Sequence, residues 1–198
     1  RQVSKQKDLV RSEKITIDKT VGTASTAAGA LTQNNFYGLR VEDKEISLNV
    51  PDVINVVGVF ESLNTAAPSF DKLTFISGLN LNTASVLGEK IIGSRSGAIA
   101  QLTERTSATQ VEIVYLTESK FIPGETVTFE ESNITTNLQA ITLGIHLDIT
   151  DRFTLDKGHK EQYLDYSKIV RSAGSPKPTR KVTVLSLIHI SEPTRRKR

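Results

Sequence analysis

The sequence predicts an all-β chain of small barrel or sandwich modules, with a loop and short-helix segment near its C-terminus. Three observations predict this. The first is one pattern that occurs twice between Val86 and Leu143. Its first copy reads Leu87-Gly88-Glu89-Lys90-Ile91-Ile92-Gly93 and returns through Ala98-Ile99-Ala100-Gln101-Leu102. Its second reads Pro123-Gly124-Glu125-Thr126-Val127-Thr128-Phe129 and returns through Leu138-Gln139-Ala140-Ile141-Thr142-Leu143. In both, a Gly-Glu turn launches a short apolar strand, a polar loop follows and a second strand comes back. The second observation is Val111-Glu112-Ile113-Val114-Tyr115-Leu116, the strongest strand signal in the chain, which lies between the copies. The third is Val53-Ile54-Asn55-Val56-Val57-Gly58-Val59-Phe60. It is apolar on both faces and rich in β-branched residues, which suits a central strand and disfavours a helix.

The remaining elements follow in order. Residues 1–13 are polar and mixed in charge. Lys14-Ile15-Thr16-Ile17-Asp18 alternates like a half-exposed strand. Residues 21–35 are rich in Thr, Ala, Ser, Gly and Asn and read as a surface loop or linker. Leu39-Arg40-Val41 and Glu45-Ile46-Ser47-Leu48-Asn49-Val50 form two arms of a hairpin turning at Glu42-Asp43-Lys44, with Ile46, Leu48 and Val50 on one face. Residues 64–70 form a loop around Pro68, and Lys72-Leu73-Thr74-Phe75-Ile76 a strand. Residues 79–84 are turn-like. Gly93 and Gly97 bracket a tight reversal, and residues 103–110 are a polar connection. Val127 and Phe129 face one way, Thr126 and Thr128 the other. Leu147-Asp148-Ile149-Thr150 finishes a strand, residues 156–170 are a loop and then a short helix, and 172–178 are a linker. Residues 181–184 begin another strand. The predicted organisation is an N-terminal β and linker segment (1–50), a β-barrel-like or sandwich module (51–145), a third segment with a linker (146–184), and a foreign tail (185–198).

Composition removes several classes of function. The chain of 198 residues contains no Cys, which excludes disulfides, thiolate catalysis and thiolate metal sites together. No apolar run approaches the ~20 residues that cross a bilayer as a helix, and no signal peptide opens the chain. Met is absent as well, so the chain reads as an internal fragment of a longer protein. The net charge is +3, yet Arg195, Arg196, Lys197 and Arg198 against Glu192 supply all of it. A neutral body has little long-range pull on phosphate backbones, so no nucleic-acid partner and no membrane insertion are expected. The tail Leu185-Ser186-Leu187-Ile188-His189-Ile190-Ser191-Glu192-Pro193-Thr194-Arg195 resembles, residue for residue, the translation of a transposon-end sequencing adapter. Residues 185–198 are therefore expected to be read-through at the end of a metagenomic contig and are set outside fold reasoning. The rival is a genuine basic tail.

The search for chemistry returns little. Gly93-Ser94-Arg95-Ser96-Gly97 could cradle a phosphate, but such loops need a following helix and usually a Lys before Ser or Thr. A hairpin turn is the simpler reading. Asp148, Asp151 and Asp156 lie near His146 and His159, so a divalent ion is conceivable, but the spacing does not follow the EF-hand loop. Solvated loop charges are the alternative. Glu130-Glu131 and residues 42–45 offer carboxylate pairs, but neighbours in one strand point to opposite faces, and paired acids must face each other across a cleft. No Ser sits in a Gly-x-Ser-x-Gly elbow. No catalytic, cofactor-binding or metal residue is assigned, no cofactor is expected, and the chain is not expected to be an enzyme. Phe153, Tyr163 and Tyr166 stand among Arg152, Lys157, Lys160 and Lys168, interleaved with Asp151, Asp156, Glu161 and Asp165. The acids would repel phosphates, so these aromatics are candidates for a protein interface. Tyr37, Tyr115 and Tyr163 are the candidate platforms for a glycan.

Two segments resemble virion structural proteins of marine contractile-tailed phages, of the cyanophage and pelagiphage kind. One is Val53-Ile54-Asn55-Val56-Val57-Gly58-Val59-Phe60-Glu61-Ser62, continued by Phe70-Asp71-Lys72-Leu73-Thr74-Phe75. The other runs from Asp151-Arg152-Phe153-Thr154-Leu155 through Gly158-His159-Lys160 to Lys168-Ile169-Val170-Arg171. The second resembles a domain of large tail or fibre-like proteins. The resemblance implies a tail, baseplate or fibre-associated assembly module located in the virion. Its partners would be other virion proteins and further copies of itself, for instance as a trimer. It carries over no catalytic residue. The alternatives are a receptor- or glycan-binding module of a tail tip and a tail-associated polysaccharide hydrolase.

Overall fold

A computed structural model describes residues 10–17, 40–159 and 165–189. The chain is all-β. The strands in order are β1 (Val10–Ile17), β2 (Glu45–Ser47), β3 (Val53–Glu61), β4 (Asp71–Phe75), β5 (Lys90–Gly93), β6 (Ile99–Ser107), β7 (Gln110–Tyr115), β8 (Thr126–Phe129), β9 (Thr135–Thr142), β10 (Leu147–Asp148), β11 (Phe153–Asp156), β12 (Lys168–Arg171) and β13 (Val182–His189). One helical turn, α1 (Leu81–Ala84), precedes β5, and a 3-10 turn, Thr150–Arg152, precedes β11. The loop expected over 21–35 lies outside the described residues, as do Leu39 and residues 190–198.

The strands form two bodies, one inserted into the other. β4 to β9 close into a six-stranded barrel, in the order β4-β7-β6-β5-β8-β9. Around it, the sheet β1-β13-β3-β10 packs on the sheet β11-β12-β2. This sandwich takes its strands from both sides of the barrel in sequence. The expected 51–145 module therefore differs from the structure. The barrel begins at Asp71, and Val53–Glu61 belongs to the sandwich with residues 147–189.

The barrel is built from two equivalent units. Gly88 N–H donates to Leu102 O at 2.9 Å and Gly124 N–H to Leu138 O at 2.7 Å. Ser94 N–H donates to Thr126 O and Glu130 N–H to Lys90 O, each at 2.9 Å. Ile92 and Thr128 are matching residues of the two copies, and they sit opposite each other where β5 meets β8. A local two-fold axis thus passes between them. β4 and β7 complete the relation, because each flanks the return strand of one copy. Alternation fills the interior: Val127 and Phe129 point inward with Ile91, Ala98, Ala100, Leu102, Ile113 and Leu138, and the Phe75 and Phe129 rings lie 5.5 Å apart.

β3 is the central strand that its two apolar faces predict. Val53 and Val59 enter the sandwich core with Ile46, Leu48, Ile169, Val182 and Val184. Phe60, on the opposite face, joins Phe70, Val114 and Leu185 between sandwich and barrel. Gly58 makes room for this, since a Cβ there would stand 2.3 Å from the Phe60 ring.

Several elements depart from expectation. Glu45–Ser47 pairs with β12, not with an arm at 39–41, and residues 40–44 form a turn closed by Arg40 and Asp43 at 2.6 Å. Residues 103–107 continue β6; their polar side chains belong to a strand with one open face. Asn80 caps α1 by accepting from Asn82 N–H, and the Arg105 guanidinium donates to the α1 carbonyls of Asn82 and Ser85. β11 and β12 make a hairpin; residues 156–159 and 165–170 hold no helix, and residues 160–164, on which the expected short helix also falls, lie outside the described residues. β13 runs past Thr183 to His189, paired with both β1 and β3. The strand thus enters the segment set aside as foreign, and its Leu185 and Ser186 are buried.

A two-stranded neck joins the bodies. Ser69 and Ile145 exchange backbone hydrogen bonds at 3.3 and 2.9 Å, and Asp71 Oδ1 accepts from Gly144 N–H at 2.8 Å. The crossing is tight: a Cβ on Gly144 would lie 2.4 Å from Ser69 O and 2.5 Å from Phe70 C. Both are backbone atoms and cannot swing aside. Gly144→Ala is expected to cost about 2 kcal/mol, as overpacking does elsewhere, and to open the neck. Urea unfolding and limited proteolysis around residues 63–69 check this; wild-type stability and protection would contradict it.

Candidate functional site

Five acids of the described chain are buried; Asp43 pairs with Arg40 and Glu112 accepts from the Thr103 hydroxyl, so the other three, Glu89, Glu125 and Glu61, come first as candidates for chemistry. Each is committed to backbone. Glu89 accepts from Val86 N–H at 2.6 Å and reaches across to the other copy, where Glu131 N–H, Ser132 N–H and the Ser132 hydroxyl donate to it at 2.9 to 3.2 Å. Glu125 does the same in reverse. It takes Ile122 N–H at 2.7 Å and then Arg95 N–H, Ser96 N–H and the Ser96 hydroxyl at 2.9 to 3.1 Å. Each Gly-Glu turn therefore holds the hairpin tip of the opposite copy. Gly93 is bare so that Glu125 can enter, since a Cβ there would meet its carboxylate at 2.8 Å. Glu61 holds Thr179 and Arg180 N–H in the same manner.

The anion in the Gly93–Gly97 loop is thus the protein's own carboxylate, in a hairpin turn. Burial pushes the Glu125 carboxyl up, but the N–H groups of Ser96, Ile122 and Arg95 and the Ser96 hydroxyl outweigh it and hold the group below its ordinary value. Hydrogen bonds to the charged form have this effect.

The sequence-predicted positions scatter. Phe153 is half-buried against the sandwich core, Tyr166 is exposed, and Tyr163 and Tyr37 lie outside the described residues. Phe153 and Tyr166 form no common patch with a third aromatic that can be described. Asp148 Oδ1 accepts from Thr150 N–H and its hydroxyl, and Asp156 Oδ1 from Gly158 N–H, with Lys168 3.7 Å from Asp156 Oδ2. Among the described residues no group of three or more His, Asp or Glu could hold a metal ion. Glu45 pairs with Lys168 at 2.6 Å, and that bond raises the lysine above its ordinary value.

One cleft does gather titratable groups. It lies at the joint and measures about 210 Å³. Asp71, Tyr115, Lys120, His146 and Asp148 line it, with Val57, Phe60 and Val114 as an apolar wall. His146 packs between Phe60 and Phe70, with ring centroids 5.0 Å from each, and its Nδ1 lies 2.9 Å from Ser69 O. That contact makes Nδ1–H the donor and leaves Nε2 bare. Lys120 Nζ stands 3.7 Å above the Tyr115 ring, a cation–π contact. Burial pushes the Tyr115 phenol up; Phe121 N–H opposes this, and the Asp71 and Glu125 carboxylates add to the rise. Tyr115, Asp148 and His146 are each conspicuous in the sequence. Their meeting is not, because it depends on Ser69 bridging to Ile145 across the inserted barrel. Asp71 and Lys120 carry no sequence signal at all. A second, wider space of about 410 Å³ opens between Val57 and Leu187 of the sandwich and Lys90, Glu130 and Glu131 of the barrel.

No protein-family model, curated protein or solved structure matches this chain.

The carboxylate clamps make a paired prediction. Glu125→Ala leaves buried N–H donors without partners and is expected to cost about 3 kcal/mol, and Glu89→Ala a similar amount. Because the folded-state value of Glu125 is lowered, its contribution is complete above the ordinary glutamate value of 4.5 and is lost as pH falls through the folded value. Urea unfolding against pH should show the gap between wild type and Glu125→Gln narrowing on acidification. A gap that is constant or widens would contradict the assignment.

Proposed function

We propose that this chain is a structural module of a phage virion, working in a tail, baseplate or fibre-associated assembly without catalysis. The observation that carries the reading is an apolar ridge on the neck. Leu143, Ile145 and Leu147 alternate along one extended run and are 77, 51 and 42% exposed. Single exposed apolar residues are ordinary, but a row of them on one edge marks a protein contact. The ridge lies where the two bodies meet, so a virion protein seated on it fixes both at once.

The disposition of acids supports the same reading. Glu89, Glu125 and Glu61 are occupied by backbone N–H groups. In the joint cleft Asp148 is exposed and Asp71 accepts a backbone N–H. The phage-like segments supply β3 and the hairpin of β11 and β12 in the sandwich and β4 in the barrel, so the resemblance touches both bodies.

Mass spectrometry of purified virions should recover the full-length product, and its absence from particles would overturn the proposal. The ridge gives a second check. Leu143→Lys combined with Ile145→Lys should shift unfolding stability by no more than about 0.5 kcal/mol, as surface changes do, while abolishing incorporation into particles. Normal incorporation of that variant would remove the ridge from the account.

A further inference from the structure

We propose that the cleft at the joint binds a single sugar ring, recognised as a neutral polyol. The inference adds a ligand to the assembly role and does not depend on it.

The cleft is already formed and its polar groups are already aimed. Asp71 is fixed through Oδ1 by Gly144 N–H, and Asp148 through Oδ1 by Thr150. Among the described residues the second oxygen of each acid has no hydrogen-bond partner. His146 is fixed through Nδ1 and by two aromatic rings, leaving Nε2 bare. Lys120 is held over Tyr115 by its charge and makes no ion pair among the described residues. Every polar group thus has one interaction that orients it and one valence left over. Groups oriented in advance lose little freedom on binding, which is how small sites gain affinity.

The free valences define the ligand. The open carboxylate oxygens and His146 Nε2 accept hydrogen bonds; Lys120 donates. Two carboxylates against one ammonium repel an anion. A hydrophobic ligand would leave these groups stripped of water and unpaired. A polyol supplies what is missing: hydroxyls that donate to the acceptors and accept from the ammonium. Val57, Phe60 and Val114 give the ring's C–H face an apolar wall, and about 210 Å³ holds one ring but not an extended chain.

The test uses the whole chain, isotopically labelled, titrated separately with glucose, galactose, mannose and N-acetylglucosamine while amide resonances are followed. At least one sugar should give saturable shifts at Tyr115, Lys120 and His146. Lys120→Ala, which gives up the contact with the Tyr115 ring, and Asp148→Asn, which keeps an Oδ1 acceptor for Thr150, should each weaken that sugar about tenfold, the scale of one charge-assisted hydrogen bond. The variants' unliganded spectra, overlaying the wild type, show that they remain folded. The proposal is overturned if no sugar moves these resonances, if the shifts fail to saturate or fall elsewhere, or if both variants bind as the wild type does. Failure here leaves virion incorporation untouched, so the two proposals fall separately.

Discussion

Two buried glutamates close this barrel, each gripping the turn that belongs to the other half. Glu89 and Glu125 are about 1% exposed, where an unpaired charge is prohibitive. Each survives because backbone N–H groups and a serine hydroxyl converge on it. Backbone donors at a hairpin tip normally face water. Here they face a carboxylate, so the tips are drawn onto the barrel ends and the six strands cannot splay. The arrangement is reciprocal: neither half can seat its own turn without the other. The two-fold relation is therefore a physical dependence as well as a similarity of sequence. Charge-assisted bonds are about twice as strong as neutral ones, which suits a barrel whose strands β5 and β8 are only four residues long.

The closed barrel then determines how the chain can carry it. Its first and last strands, β4 and β9, are paired neighbours, so entry and exit lie side by side. That adjacency lets Ser69 and Ile145 bridge, lets Gly144 cross against Phe70, and lets the sandwich continue on the far side as though uninterrupted. Phe60, Phe70 and His146 fill the gap with rings at 5.0 Å, within the range where edge-to-face contacts are favourable. β3 turns one face to the sandwich core and gives Phe60 to the small apolar cluster between the bodies. The same joint forms the cleft and exposes Leu143, Ile145 and Leu147, so both proposed contact sites follow from the insertion.

How much of this was legible depends on the range of the interaction. The hairpins β5–β6 and β8–β9 could be read because their apolar alternation and glycine turns are local. The Gly-Glu dipeptides stood out as launch points, but not as clamps, because each glutamate's donors lie some thirty to forty residues away in the opposite copy. A glutamate in sequence looks solvated; only its partners reveal it as buried. β4 and β7 were visible as strands and invisible as a symmetric pair, since their relation appears only in the pairing of Leu73 with Val111. The hairpin assigned around Glu42 failed for the same reason: Ile46 had the right alternation, and nothing nearby showed that its partner would be Ile169. Residues 103–107 were read as a connection because polarity there reflects an open face and not a turn. The cleft needs the insertion itself, which no local pattern encodes.

The buried glutamates are architectural, and the proposed contacts with other molecules lie at the joint between the bodies. Amide hydrogen exchange tests the first half of that statement most directly, residue by residue. If the clamps hold as described, the N–H groups of Ser96 and Ser132, though at hairpin tips, exchange as slowly as those within β5 and β8. Exchange at the rate of free turns at both positions would show that the carboxylates do not close the barrel, and the account built on them would fail.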